Sequence, residues 1–452
     1  MGSIPEQLRL FSPTSIVSVL AIALLLTLPR FVNEDSRLRF EALNQLFGSG
    51  LTPTTKYPLI GPLFAAPLWG IGHATGDPER VVALFNRLLA LAGAAAMWWA
   101  VRPVLSAEVA RRFLLILAFA SMLPYHLFYF GGEVFTALLL GVGSAMVVVR
   151  QSLWGLLLMA IGAANTPATI PGMALGLAVL FWHDRRLRLG LPIFLAAGLV
   201  LAENAIRRGD PFAVGYEGEH GSQTPLPYSA RPGFSYPLLF GLLSVLFSFG
   251  KGLVFFTPGL FVPLGNVPQA SASALDSEHG ISRLRVLYRV WIGIVVGLVL
   301  VYACWWSWYG GYFWGPRFFL FACLPASLAL ANRTSPSVQN SPGANLLLLV
   351  VLLLSCWVGA NGVVYQTYGD EAFLAEGYRL EFALWYVPEC SPLWWPFVQP
   401  KVLSPADMVR LGMFAIGAMY LVAPLLVTVG CQLREVLPRA WARLRSGPRI
   451  RF

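Results

Sequence analysis

The chain has 452 residues, of which 57% are hydrophobic and only 12% are charged, with a mean hydropathy of +0.65 and a formal net charge of +10. Soluble domains carry about twice that fraction of charged residues. The composition therefore excludes an ordinary soluble fold and predicts an all-α integral membrane protein. No nucleic-acid motif accompanies the basic excess, which we expect to contact anionic lipid headgroups.

The first apolar segment, residues 14–29, has the length of either a secretory signal or a membrane span. No A-x-A-like cleavage site follows it, and Arg30 comes next. We therefore expect a retained first span.

Twelve spans are predicted from apolar runs near the roughly 20 residues that cross a bilayer. They lie at 13–30, 80–101, 113–130, 133–149, 153–166, 168–182, 189–204, 251–265, 287–304, 317–332, 345–365 and 407–430. The stretch 153–182 is divided at 165–167 because two short helices keep Arg150 and the basic run 183–188 on one side. Segment 237–250 is apolar but short, which predicts an interfacial or re-entrant helix.

This assignment predicts one polytopic membrane domain over residues 1–452. The excess of Lys and Arg falls on one side, which the positive-inside rule makes cytoplasmic, together with both termini. The long external loops are predicted at 31–79, 205–250, 305–316 and 366–406. Because long loops tend to carry function, we expect the chemistry on the external face.

The first external loop predicts two interfacial helices. Within 36–48, Leu38, Leu43, Leu46 and Phe47 share one face, as in a helix that lies in the membrane interface. The segment 58–69 is again apolar, but it is too short and too rich in proline for a span.

Charged residues collect at the outer ends of the predicted spans. They are Glu34, Asp35, Lys56, Glu133, Lys251 and Arg317. Any one of them could cap a helix or reach for water. Their collection on one side, in loops rich in Gly and aromatic residues, indicates a site at the bilayer edge for a phosphorylated lipid and a polar second substrate.

Three stretches resemble the GT-C glycosyltransferases, polytopic enzymes that take sugars from polyprenyl-phosphate donors and include protein O-mannosyltransferases and the aminoarabinose transferase of lipid A. The first is the acidic pair, helix, Gly, then Lys-Tyr-Pro-x-x-x-Pro-x-x-x-x-Pro from residue 56. The second is SFGKGLVFFTPGL (248–260), with Phe249 where the family usually has proline. The third is WYGGYFWGPRFFLFACLP (308–325).

The resemblance implies transfer of one sugar from a polyprenyl phosphate to an acceptor hydroxyl, and attack opposite the leaving group would invert the anomeric centre. The external loops are too short to enclose a protein acceptor domain, which favours a glycan or lipid-linked acceptor. The resemblance implies that a first-loop carboxylate is the catalytic base. Asp35 fits by its spacing to Gly50, and Glu34 is the alternative, because the family's usual Asp-Glu order is reversed here. It also implies a bacterial inner membrane protein whose site faces the periplasm.

The other site residues follow from the charge that the reaction develops. A leaving phosphate diester needs cations, for which the candidates are Lys56, Lys251 and Arg317, with Tyr57 beside them. The candidates for contact with sugar or acceptor are Glu133, Trp308, Tyr309 and Tyr312.

No cofactor is required by this chemistry, although the acids could hold a divalent cation. The five cysteines show no ligand spacing, and the five histidines are scattered, so nothing indicates a soluble-type metal site. The expected partners are the donor, the acceptor and the lipid bilayer, without nucleic acid.

The main alternative is a transporter or flippase of lipid-linked sugars; another lipid-phosphate enzyme and a structural membrane subunit are further alternatives. A transporter would place buried charges and broken helices near mid-span. The sequence offers few such groups, namely Arg87, Glu203 and 165–167. It identifies neither the sugar nor the acceptor.

Overall fold

A computed structural model describes residues 12–265, 274–366, 373 and 377–445. The described chain is built of helices and contains no β-strand, only an isolated bridge between Phe31 and Tyr129. In its first half the α-helices are Pro13–Thr27, Glu34–Leu43, Ile60–Leu63, Ala66–Thr75, Pro78–Val82, Phe85–Val101, Ala107–Phe119, Leu123–His126, Gly132–Arg150, Trp154–Asn165, Ile170–Asp184 and Leu191–Arg208. In its second half they are Leu238–Phe247, Leu253–Phe256, Ala274–Cys304, Cys323–Arg333, Pro342–Val364, Ala383–Tyr386, Trp395–Val398 and Pro405–Arg445.

Among the described residues, six helical stretches are long and apolar enough to cross a membrane. They are Pro78–Val101, Gly132–Arg150, Leu187–Arg208, Gly280–Cys304, Pro342–Val364 and Pro405–Glu435. Three shorter apolar helices accompany them, at Pro13–Thr27, Trp154–Asn165 and Leu238–Phe247. The prediction of an all-α integral membrane protein is confirmed; the count of twelve spans, the sidedness and the loop boundaries stay predictions.

The predicted eighth span, 251–265, differs from the structure. It contains only a short helix at Leu253–Phe256 and a 3₁₀ turn at Pro258–Phe261, followed by non-helical residues. Thr257 leaves the helical conformation, with φ −142° and ψ 53°, and the proline that follows cannot donate to a continued helix. The apolar run at 251–265 therefore does not form one continuous helix, although its composition predicted one.

Close helix crossings hold the bundle together. A Cβ added at Gly143 would lie 2.7 Å from the carbonyl oxygen of Gly155, and one added at Gly297 would lie 2.2 Å from the Cα of Gly172. Small residues at such crossings let two helix backbones approach, which is a common basis of packing between helices in membranes.

The start of the first loop is fixed from several sides. The buried Arg87 guanidinium donates to the carbonyls of Leu26 and Pro29 at the end of the first helix. The Phe31 N–H donates to the Phe128 carbonyl at 2.9 Å. These contacts set the position from which the helix Glu34–Leu43 begins.

The helix Glu34–Leu43 covers much of the predicted first interfacial helix, whose position in the membrane interface stays a prediction. Its α-helical part ends at Leu43 and a π-helical turn covers Asn44–Gly48. Leu38 and Phe47 are exposed, whereas Leu43 is buried together with Ser36 and Arg39. The inward face is therefore more polar than the sequence indicated, which brings an arginine into the interior of the protein.

Candidate active site

Asp35 and Arg317 form the centre of the site. Asp35 lies in the first turn of the helix Glu34–Leu43, and Arg317 begins the 3₁₀ helix Arg317–Ala322. The Arg317 Nη1 donates to Asp35 Oδ2 at 2.6 Å, and Nη1 also lies 3.5 Å from Glu133 Oε1. Three residues predicted separately from the sequence thus meet in one cluster, in which one guanidinium faces two carboxylates.

The Arg317 guanidinium contacts aromatic rings as well as the two acids. Its Cζ lies 4.1 Å from the centre of the Phe313 ring and 5.2 Å from that of Phe318. Its Nε has no hydrogen-bond partner. The guanidinium is therefore packed against aromatic rings, and its buried Nε–H is left without an acceptor.

Tyr57 joins the cluster from the far end of the first loop. Its phenol hydrogen-bonds to the Asp35 carboxylate, and its ring lies 4.4 Å below the guanidinium carbon of Arg39. Burial, followed by the charge of Asp35, raises the pKa of the Tyr57 phenol far above its usual range. The phenol therefore keeps its proton and acts as a donor.

The pKa values of the adjacent acids Glu34 and Asp35 are shifted in opposite directions. Burial acts to raise the pKa of Asp35, but the Arg317 charge and the hydrogen bonds from Tyr57 and Arg317 outweigh it, so this pKa lies below its usual range. Burial raises the pKa of the Glu34 carboxyl, and the Asp35 charge adds to that rise. Glu34 also adopts a φ of 45°, which is uncommon for a residue other than glycine.

A cavity of about 540 Å³ lies beside this cluster. One part of its lining is polar and includes Arg39, Lys56, Tyr57, Glu133, Tyr216 and Arg317. The other part is apolar and includes Val200, Leu298, Val301, Trp305, Phe318 and Phe321. A site with this lining can receive a molecule that has an anionic group at one end and a hydrocarbon chain at the other.

Lys56 is held by an ion pair. Its Nζ lies 2.7 Å from each carboxylate oxygen of Glu219, and 5.5 Å from the centre of the Tyr216 ring. Arg207 and Arg208, at the end of the helix Leu191–Arg208, donate to backbone carbonyls of the segment that carries Lys56. The segment 207–219 thus contacts the part of the first loop that carries Lys56.

Lys251 lies outside the lining of the cavity, and its ammonium group bonds to backbone carbonyls. Trp308 and Tyr309 also lie outside this lining, because they pack into a buried aromatic cluster with Trp385, whose ring is 3.8 Å from that of Tyr309. Tyr312 is partly buried beside them. The predicted binding roles of these four residues stay predictions.

No protein-family model matches the chain, and no curated protein matches it. Solved structures of ArnT from Cupriavidus metallidurans are similar to it. The apo structure aligns with a TM-score of 0.52 and 14% identity over 92% of this chain and 75% of that one. The structure bound to undecaprenyl phosphate aligns with a TM-score of 0.51 and 14% identity over 94% and 79%. The chain has the GT-C glycosyltransferase fold. This confirms the resemblance that the three sequence motifs predicted.

Within this GT-C fold, the structure adds site residues that the sequence reasoning missed. Arg39 is buried, lines the cavity and has Nε and Nη1 without partners. Its spacing of four residues from Asp35 places both on one helical face, so a signal for it existed. Glu219 and Tyr216 reach the cavity from a loop, where no periodicity could have indicated them.

Metal binding was left open by the sequence. In the described parts of the chain, no group of three or more His, Cys, Asp or Glu side chains is placed to share a metal ion. The Asp35 and Glu133 carboxylates instead both face Arg317. The expectation that the reaction requires no cofactor stays a prediction.

Proposed function

We propose that this protein is a membrane glycosyltransferase that moves one sugar from a polyprenyl-phosphate donor to an acceptor hydroxyl. The observation that carries the proposal is the Asp35–Arg317 cluster beside a cavity with one polar and one apolar part. The GT-C fold supports it, as does the similarity to an ArnT structure that is bound to undecaprenyl phosphate.

The donor's phosphate is placed at the polar part of the cavity, within reach of Arg317, Arg39 and Lys56. Both arginines line this part of the cavity, and each has buried N–H groups without a hydrogen-bond partner. Cations near the departing oxygen stabilise the charge that develops as the bond from sugar C1 to phosphate oxygen breaks. The prenyl chain lies along the apolar lining.

The acceptor hydroxyl loses its proton to a first-loop carboxylate as its oxygen bonds to sugar C1. We assign that base to Asp35, which Arg317 and Tyr57 orient, and keep Glu34 as the alternative. Polyprenyl phosphate leaves as an anion and needs no proton, so a single base suffices. Attack opposite the leaving group inverts the anomeric carbon.

The sugar ring is placed between the phosphate site and the acids. Glu133 faces this space and can accept hydrogen bonds from sugar hydroxyls. Trp305 and Trp306, which line the cavity, offer further stacking surfaces for the sugar. The acceptor is a glycan or a lipid-linked molecule.

We place the protein in the bacterial inner membrane, with the site on the external face and both termini in the cytoplasm. The positive-inside rule supports this orientation, because the predicted inner loops and termini together hold 18 of the 32 Lys and Arg residues but only 6 of the 22 Asp and Glu residues.

The residues that a transporter would use have structural partners instead. Arg87 donates to two backbone carbonyls, and Glu203 pairs with Arg207 at 2.6 Å. Asn165 accepts from the Gly61 N–H at 2.9 Å and donates to the Gly132 carbonyl at 3.0 Å. No observation on these residues favours transport.

The deciding experiment incubates the purified protein with a panel of polyprenyl-phosphate sugars and membrane-derived glycans or lipids. We expect release of free polyprenyl phosphate with one sugar type, reduced by about 10²-fold or more in Arg317→Ala. Arg37→Ala is the matched control, because Arg37 lies on the same helix as Asp35 but pairs with Glu79 at the surface. Absence of release from every donor, with transbilayer movement of a donor in vesicles, would refute the enzyme and favour the flippase.

A further inference from the structure

Lys251 occupies an unusual environment for a lysine. The side chain is buried, and its ammonium group donates to the carbonyls of Gly311, Phe313 and Gly315, at 3.1 Å for the first and 3.2 Å for the last. An ammonium group has three N–H donors and no acceptor. All three donors are therefore engaged by one loop.

The turn that carries Lys251 has no room for a side chain at either of the flanking glycines, Gly250 and Gly252. A Cβ at Gly250 would lie 1.8 Å from the Leu384 carbonyl oxygen, and one at Gly252 would lie 2.4 Å from the Ser248 carbonyl oxygen. The Gly250 N–H also donates to the Trp385 carbonyl at 2.9 Å. The Gly-Lys-Gly sequence thus packs this turn against the 384–385 segment, and the lysine points inward.

The loop that Lys251 binds is the one that leads into Arg317. Gly310, Gly311 and Gly315 all have positive φ, at 75°, 73° and 69°. A Cβ at Gly310 would lie 3.0 Å from Arg317 Cγ. A loop with three glycines in the left-handed region has little rigidity of its own. Its conformation therefore depends on contacts from outside the loop, and the hydrogen bonds from Lys251 act as a clamp on it.

The clamp acts where the loop contacts the catalytic cluster. Lys251 binds the carbonyl of Phe313, and the Phe313 ring lies 4.1 Å from the Arg317 guanidinium carbon. Burying an ammonium group is costly unless it is fully hydrogen-bonded. Convergence of three carbonyls satisfies it, and no uncharged side chain carries three donors.

We propose that Lys251 is a positioning residue, which fixes the Gly311–Gly315 loop and thereby holds Arg317 against Asp35, and is not itself a ligand of the donor phosphate. The inference rests on the proposed function for its kinetic consequence. Its structural part, the dependence of the Arg317 position on Lys251, stands on the contacts alone.

A double-mutant cycle tests the kinetic part. Lys251→Met should lower kcat/KM for the donor by about tenfold or more, because a displaced Arg317 stabilises the leaving phosphate less well. In an Arg317→Ala background it should change kcat/KM by no more than about twofold, because residues that act through one another are not additive. Two losses that multiply would mean that Lys251 contacts the phosphate directly, and unchanged kcat/KM in the single variant would mean that it positions nothing; either overturns the inference.

Hydrogen exchange provides a readout that needs no activity. Lys251→Met should speed exchange at the Phe313 and Arg317 amides, and also at the Ser36 and Arg37 amides, which lie next to Asp35. Arg317→Ala should also speed exchange at the Ser36 and Arg37 amides. Unchanged exchange at Ser36 and Arg37 in Lys251→Met overturns the inference even if the wild type transfers no sugar.

Lys401→Met is the matched control for both measurements. Lys401 also donates to a carbonyl, that of Val364, at 2.8 Å, but it does so near Asp407 and away from the cavity. We expect it to leave kcat/KM and exchange at Ser36 unchanged. An equal effect from this variant would show that loss of any lysine–carbonyl contact perturbs the site, which overturns a specific role for Lys251.

Discussion

The Arg317 guanidinium lies 2.6 Å from the Asp35 carboxylate, although 282 positions separate the two residues in the chain. The same Arg317 nitrogen is within 3.5 Å of Glu133. A phosphate that binds Arg317 must therefore share it with two carboxylates. In the proposed reaction, donor binding draws positive charge away from Asp35 and makes it a stronger base.

Variants of the two adjacent acids separate the candidates for the base. Asp35→Asn keeps the shape of the side chain and removes its charge, so we expect kcat to fall by about 10²-fold or more. Glu34→Gln should retain most activity, because Glu34 makes no described ion pair. Single-turnover rates at saturating donor measure both. A dead Glu34→Gln with an active Asp35→Asn would move the base by one residue, and two active variants would remove the first loop from the chemistry.

The pH profile gives an independent assignment. Arg317 and Tyr57 hold the pKa of Asp35 below its ordinary value of 3.8, whereas burial raises that of Glu34 above 4.5. A base works when deprotonated, so activity is full above its pKa and is lost as the pH falls through it. With Asp35 as base, the acid limb of kcat/KM should lie below pH 4, provided that elution profiles show intact protein there. A limb above pH 4.5 would assign Glu34.

Arginine and lysine should differ at position 317. Arg317→Ala should reduce kcat/KM for the donor by about 10²-fold or more, since it removes a cation at the departing oxygen. Arg317→Lys should restore only part of this, because lysine keeps the charge but loses the planar fork that binds two oxygens at once. Acceptor KM should change little. Full activity in Arg317→Ala would mean that Arg317 merely anchors the end of its helix.

Labelling with an impermeant thiol reagent tests the orientation. In a cysteine-free background, Glu41→Cys in the first loop should react in intact cells, whereas Leu187→Cys should react only after lysis. Both side chains are exposed in the structure. The expected pattern follows from the basic run around residue 187. The reverse pattern would invert the topology and place the site in the cytoplasm.

Much of the site could be predicted because its charged residues stand at the ends of apolar segments, where any charge is conspicuous. Asp35, Glu133 and Arg317 were found in this way, and the structure brings them together. The spacing of four residues between Asp35 and Arg39 would also have indicated Arg39 as a site residue. The prediction instead considered only the apolar residues of that helix, which share another face.

The remaining features depend on contacts that a one-dimensional pattern does not contain. Lys251 has the sequence context of a phosphate ligand, and only the fold shows that three carbonyls converge on it. The interruption at Thr257 depends on backbone conformation, and the burial of Trp308 depends on Trp385. From the sequence alone, the apolar run around Thr257 predicted a span, and the position of Trp308 among other aromatic residues predicted a stacking surface.

The pair between Lys56 and Glu219 yields the last prediction. Both carboxylate oxygens of Glu219 lie 2.7 Å from the lysine nitrogen, so a phosphate that uses Lys56 must first displace them. Lys56→Met should raise the donor KM by about tenfold, the usual effect of losing a charge-assisted hydrogen bond.

Glu219→Gln should instead lower the donor KM by a few-fold, up to about tenfold, because the competing charge is gone. Stability should change little in either variant, since the pair is partly exposed. Glu79→Gln is the control, because it removes the acid of another exposed pair, with Arg37, and should leave KM unchanged. If Glu219→Gln raises KM as much as Lys56→Met does, then Glu219 orients Lys56 for the phosphate and does not compete with it.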